Sequence, residues 1–174
     1  MKKALKFAGL AAFVLALVAF ILLMATHSLS YTGNVSGWYD GVSAIFGKGT
    51  SQLASGGIAI TGEFEGTLAW NALLAWIFAL VGMLAVCAAA VLPLLKIKAL
   101  EKVPAILNLV AIGLFLVAGI FVFFTLPAFA AANEWNSQDG WGLGAGWIIA
   151  AILLLVAAIV AALPVILELV EKKK

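Results

Sequence analysis

With 174 residues, 66% of them hydrophobic and 10% charged, the chain lies far from a soluble domain, in which about a quarter of residues carry charge. So few polar groups cannot cover an apolar fold in water, so the bilayer is the expected solvent; the formal net charge of +2 matters less than where the charges fall. A single cysteine, Cys87, and a single histidine, His27, exclude an intramolecular disulfide, a cysteine-based metal cluster and any site built on two histidines.

Lys2, Lys3 and Lys6 lead into a first apolar run, Phe7 to Thr26. A hydrocarbon core about 30 Å thick needs about 20 residues of helix, and a helix satisfies its own backbone in lipid. The run exceeds the apolar core of about 7–15 residues found in signal peptides, so it reads as a retained helix rather than a leader cleaved after Ser30.

A long loop rich in Gly, Ser and Thr follows, residues 28–67. Its segment GIAITGEFEGT alternates, placing Ile58 and Ile60 on one face and Glu63 and Glu65 together on a face. YTGNVSGWYDGVSAIF is a second strand candidate, interrupted by glycines that mark turns or bulges. A small antiparallel sheet resting on the helix ends is expected, and Asn34-Val35-Ser36 is a glycosylation sequon.

The second span is Leu68 to Leu95, the third Val103 to Ala131 and the fourth Gly146 to Val170. The link over 96–102 is short enough to make the second and third spans antiparallel neighbours, and 132–143 is a short polar loop. Pro104 sits in a first helical turn, where a missing N–H costs little. Pro93, Pro127 and Pro164 fall late in their spans and are expected to bend or end them. The fold class is therefore an all-α, left-handed bundle of four transmembrane helices with a small sheet in the first outer loop, the whole chain forming one membrane domain.

Orientation follows from charge. With four crossings, Lys2, Lys3, Lys6, Lys96, Lys98, Lys102, Lys172, Lys173 and Lys174 share one side, which the positive-inside rule makes cytoplasmic. The other side holds Lys48 with Asp40, Glu63, Glu65, Glu134 and Asp139. Both termini are thus expected in the cytoplasm of a cell-membrane protein, with anionic head groups rather than nucleic acid as neighbours of the lysines. Trp70, Trp76, Trp141 and Trp147 cluster at the outer ends as half of an aromatic belt.

Lipid tails are as apolar as leucine, so close approach of small residues must hold the helices together. Ala72, Ala75, Ala79, Gly82, Val86 and Ala89 form one narrow face of the second span. Ala8, Ala12 and Ala16 offer a seam in the first span, and Ala150, Ala157 and Ala161 in the fourth. Asn71 and Asn108, polar residues inside the second and third spans, read as interhelical glue. Gly142 to Gly146 matches GxxxG and serves either as a flexible loop-to-helix turn or as a dimer contact.

No ionisable residue lies mid-span, which argues against a proton-coupled transporter, a voltage sensor or a charge-lined channel. Glu168 lies close enough to the cytoplasmic end to reach water or the trailing lysines. Nucleotide-binding, zinc-protease, hydrolase and DNA-binding motifs are absent from the sequence, and no catalytic residue, cofactor or metal site is assigned. His27 reads as a solvated or capping residue and Cys87 as a small packing residue. Asp40, Glu63 and Glu65 make either a solvated acidic surface or a weak cation site, and the missing EF-hand spacing favours the first.

Four spans, cytoplasmic ends, a large first outer loop with strands and a small second one resemble the claudin-like tetraspan proteins. That family carries a Trp–Gly-Leu-Trp–Cys–Cys signature in the first outer loop; here the loop offers Gly37-Trp38 without the GLW or the cysteines. The resemblance implies the architecture and not the family's barrier function. The expected function is non-enzymatic: an accessory subunit, scaffold or self-assembling component that acts through a membrane-protein partner or a homo-oligomer. Trp38, Tyr39, Ile45 and Phe46 are the candidate contact residues, their other role being to pack the loop onto the helix ends. The alternative is an oligomeric transporter or pore for an apolar or uncharged substrate.

Overall fold

The computed structural model describes residues 2–33, 35–95 and 102–171. The sequon residue Asn34, most of the link at 96–101, and Lys172, Lys173 and Lys174 lie outside the described residues, as do the side chains of Lys2, Lys3, Lys6 and Glu168. Among the described residues four helices are long and apolar enough to cross a membrane: α1 (Lys2–Ala25), α3 (Trp70–Val91), α4 (Val103–Phe123) and α6 (Ala145–Glu171). Between α1 and α3 the chain forms β1 (His27–Thr32), β2 (Ser36–Asp40), the short α2 (Gly41–Phe46), β3 (Lys48–Ser55) and β4 (Ile58–Glu65). Between α4 and α6 lie α5 (Thr125–Ala132) and β5 (Trp141–Leu143).

The long helices close a ring in which α1 packs on α3, α3 on α4, α4 on α6 and α6 on α1. Small residues line the interior. Ala12, Ala16 and Ala19 of α1, Ala72, Ala75, Ala79 and Gly82 of α3, and Ala150, Ala157 and Ala161 of α6 are all buried. Close approach then lets large side chains interlock. A Cβ on Gly82 would stand 2.7 Å from the buried Phe115 ring, and one on Gly119 would stand 2.9 Å from Leu155 Cδ2. The outward faces carry Phe7, Leu10, Val14, Val18 and Ile21 on α1 and Ile149, Ile152, Ile159 and Leu163 on α6, all exposed. Patches of that extent need an apolar surrounding. With the antiparallel sheet, the four apolar helices fit a tetraspan topology.

Proline sets the helix ends. The ring of Pro127 conflicts with the carbonyl four residues earlier, at Phe123, and α4 ends there. The span 103–131 is therefore two helices rather than one. Asn71 of α3 holds the break: its Nδ2 donates to the Phe121 carbonyl at 2.8 Å, beside the Phe124 N–H at 3.1 Å. Pro93 acts likewise on α3, which gives way to a 3-10 turn over Leu92–Leu95. Pro164 stays within α6 without ending it.

The five strands form one antiparallel sheet in the order β4-β3-β2-β1-β5. One residue separates α1 from β1, so the sheet springs directly from the bundle end. The β1–β2 turn and the Gly56–Gly57 turn of the β3–β4 hairpin both lie at the far end, since Ser36 pairs with Ala54.

Candidate interaction surface

Register assigns each strand residue to a face. One face carries Ser30, Trp38, Gln52, Thr61 and Glu63; the other carries Tyr31, Gly37, Tyr39, Leu53, Ile58, Ile60, Phe64 and Trp141. The first is polar and the second apolar.

On the polar face a chain of contacts crosses four strands. The His27 ring stacks flat on the Trp38 indole, centroids 4.2 Å apart and 7° between planes. Trp38 Nε1 donates to Gln52 Oε1 at 3.0 Å, and Gln52 Nε2 donates to Thr61 Oγ1 at 2.9 Å. Glu63 and Glu65 share this face, as their spacing requires, and Lys48 faces Glu65 at 3.4 Å in the open.

Asp40 does not join them as a ligand. Its Oδ1 accepts from the Ser43 N–H at 2.7 Å and the Ser43 hydroxyl at 2.6 Å, and its Oδ2 accepts from the Thr50 N–H at 2.9 Å. It is the N-cap of α2, whose far end is closed by Gly47 in the left-handed region at φ 73°. The 31–46 segment is thus two strand pieces and a helix, not one broken strand. Among the described residues no group of three or more His, Cys, Asp or Glu side chains is placed to hold a metal ion.

The apolar face is covered only near the bundle. There Tyr39 meets Phe64 (4.9 Å), Phe129 of α5 (5.2 Å), Trp141 (5.4 Å) and Trp135 (5.8 Å between centroids). Burial among these rings raises the Tyr39 phenol above its usual pKa. Toward the far end the cover stops. Leu53, Ile58 and Ile60 stand 57%, 70% and 71% exposed.

The four candidate contacts separate. Tyr39 belongs to the aromatic cluster, Trp38 is half-buried under His27, and Ile45 is wholly buried on α2. Phe46 is 42% exposed against Trp76, with centroids 5.5 Å apart. On the sheet the exposed apolar residues are Leu53, Ile58 and Ile60, which were not among the candidates, although the alternation of GIAITGEFEGT placed the two isoleucines on one face. Sequence reading missed β5, because three residues are too few for periodicity, and α2, although an Asp N-cap and a Gly C-cap bracket it.

Other readings shift as well. Of the four belt tryptophans only Trp70 is strongly exposed; Trp147 is buried and Trp141 packs in the cluster. Cys87 is exposed on α3 rather than packed. Gly144 and Gly146 lie so close to His27 and Thr26 that a Cβ at either would collide with the α1–β1 junction, so within this chain their role is close approach. Asn108 is 9% exposed, and among the described residues its Oδ1 and that of Asn71 have no hydrogen-bond partner.

No protein-family model matches the chain, and no curated protein matches it.

Proposed function

We propose that the chain is a multi-pass cell-membrane protein, a left-handed four-helix bundle with cytoplasmic termini and an extracellular sheet, which acts through protein–protein contact and not catalysis. It is an accessory subunit, scaffold or self-assembling component. The observation that carries this reading is the half-covered apolar face of the sheet, whose open part holds Leu53, Ile58 and Ile60 away from the bundle. Lysine placement supports the orientation, and the three- and four-residue steps of the small-residue seams support the handedness. The four spans and the sheet fit a tetraspan topology, which supports a likeness to claudin-like proteins in arrangement, without that family's signature motif.

Extraction in a mild detergent, followed by native mass measurement, tests the reading. A stoichiometric second protein or a defined homo-oligomer supports it; a lone monomer at native expression refutes it. The alternative, an oligomeric transporter or pore for an apolar or uncharged substrate, draws on the unpartnered amide oxygens of Asn71 and Asn108 inside the bundle. Flux of an uncharged solute into liposomes that disappears in Ala79→Leu favours that alternative.

A further inference from the structure

The break between α4 and α5 gathers hydrogen-bond donors and an acceptor that do not meet each other directly. Thr125 has no exposed surface, and its hydroxyl reaches the Phe121 carbonyl only at 3.5 Å, the outer limit of a hydrogen bond. That carbonyl already accepts from Asn71 Nδ2 at 2.8 Å and from the Phe124 N–H at 3.1 Å. The first-turn N–H groups of α5 have no acceptor within their own helix, and the N-cap residue, Phe124, makes no side-chain cap hydrogen bond. Pro127 carries no N–H, so the first-turn donors at the break are those of Thr125 and Leu126. Across from them stands one acceptor. Asn71 Oδ1 is buried and, among the described residues, has no hydrogen-bond partner.

We infer that a single water molecule is bound in this break, donating to Asn71 Oδ1 and accepting from Thr125, as a fixed part of the α4–α5 joint. The inference is independent of both readings of function above. The groups themselves select the ligand class. A cation needs acceptors and would meet the donors of Thr125; an anion needs donors and would meet Asn71 Oδ1. A molecule that both donates and accepts joins the two sets, and the absence of exposed surface at Thr125 requires it to be small. Two groups drawn to one carbonyl at 2.8 and 3.5 Å are close enough for one water, with bonds of about 2.8 Å, to bridge them. Groups freed at a proline break in a membrane helix are satisfied by neighbouring helices and by ordered water. Asn71 takes both routes, Nδ2 directly and Oδ1 through the water. Toward the bundle centre the seam between α3 and α4 is closed by the buried Phe115 ring against Gly82, so the site holds one molecule and not a column.

Transfer of proton magnetisation from water to the isotope-labelled full chain in lipid bilayers, read by solid-state NMR, tests this. A soluble paramagnetic chelate in the buffer quenches transfer from bulk water and spares that from an enclosed molecule. With the chelate present, signals are expected at the Thr125 amide and the Asn71 side-chain amide, and not at Gly82 or Phe115. Thr125→Ser keeps the Asn71 signal and Thr125→Val loses it, with unchanged resonances of Ala150 and Ala157 on α6 certifying the fold. Asn71→Leu, which removes the acceptor, loses the Thr125 signal and serves where Thr125→Val does not fold. No transfer to Asn71 and Thr125 overturns the inference. So does an Asn71 signal that survives Thr125→Val in the folded chain. Transfer running on through Gly82 and Phe115 to Asn108 also overturns it, marks a water-filled seam, and moves weight to the transport alternative.

Discussion

Replacing Trp147 with phenylalanine probes how the sheet end of the bundle is closed. α1 ends at Ala25, and the last four carbonyls of a helix have no donor within it. The Thr26 N–H and hydroxyl reach the Leu22 carbonyl at 3.2 and 2.7 Å. The Leu23 carbonyl receives the Trp147 indole N–H at 3.1 Å, from a side chain with no exposed surface. Phenylalanine keeps an aromatic ring and removes the donor. A buried acceptor left unsatisfied costs about 1–3 kcal/mol, although interhelical bonds in membranes average about 0.6 kcal/mol. The smaller ring leaves a void of about 40 Å³, which at about 24 cal/mol per Å³ contributes about 1 kcal/mol. Trp147→Phe should therefore lose about 2–3 kcal/mol in reversible unfolding in mixed micelles, followed by far-ultraviolet circular dichroism. Trp70→Phe, at a site 69% exposed, is the matched control and should change little. A Trp147→Phe loss below about 0.5 kcal/mol, the range of ordinary surface substitutions, refutes the closing role of the indole.

Gly82→Ala places a Cβ 2.7 Å from Phe115 and should lose about 1–3 kcal/mol in the same assay. Gly113→Ala, on the same class of helix with nothing within 4 Å, should be neutral or gain about 0.5–1 kcal/mol. Asp40→Ala removes the α2 cap and the Thr50 contact, and should lower the melting temperature more than Glu65→Ala, whose ion pair is exposed. Because burial raises the Tyr39 pKa in the folded chain, the unfolded chain releases that proton first. Stability should then fall as pH rises through and above 10.0, and Tyr39→Phe should fall less steeply; parallel profiles would count against the buried phenol.

The spans were legible because one physical demand, an apolar run long enough to cross lipid, overrides everything else in them. The small-residue seams were legible for a related reason: Ala72, Ala75, Ala79 and Gly82 repeat at helical spacing, and the same residues are buried. The alternation of GIAITGEFEGT marks β4, whereas β3 over Lys48–Ser55 falls in neither strand candidate and was not read from the sequence. What escaped depends on partners distant in sequence. Trp141–Leu143 becomes a strand only because Leu29–Tyr31 is there to receive it. Trp147 sits inside because the Leu23 carbonyl needs a donor, so position near a span end did not reveal its direction. Pro127 was visible as a point of bending, but the rescue of the break by Asn71 was not, since the two lie on different helices.

How the sheet is fastened bears on what it does. The Gly41 N–H donates to the Thr26 carbonyl and the Gly144 N–H to the Ser28 carbonyl, each at 2.9 Å. The Ala69 N–H reaches the Ala44 carbonyl at 2.9 Å, and Asn133 brackets Thr67, accepting from its N–H and donating to its carbonyl at 2.8 Å each. Every connection between sheet and bundle is therefore tied by backbone hydrogen bonds, and the Tyr39 cluster fills the angle between them. A sheet held this way carries β4 at a fixed attitude to the helices. In the contact role proposed above, a sheet fixed in this way would lose little conformational freedom on association, so a modest apolar patch such as Leu53, Ile58 and Ile60 would suffice where a mobile loop would need a larger one.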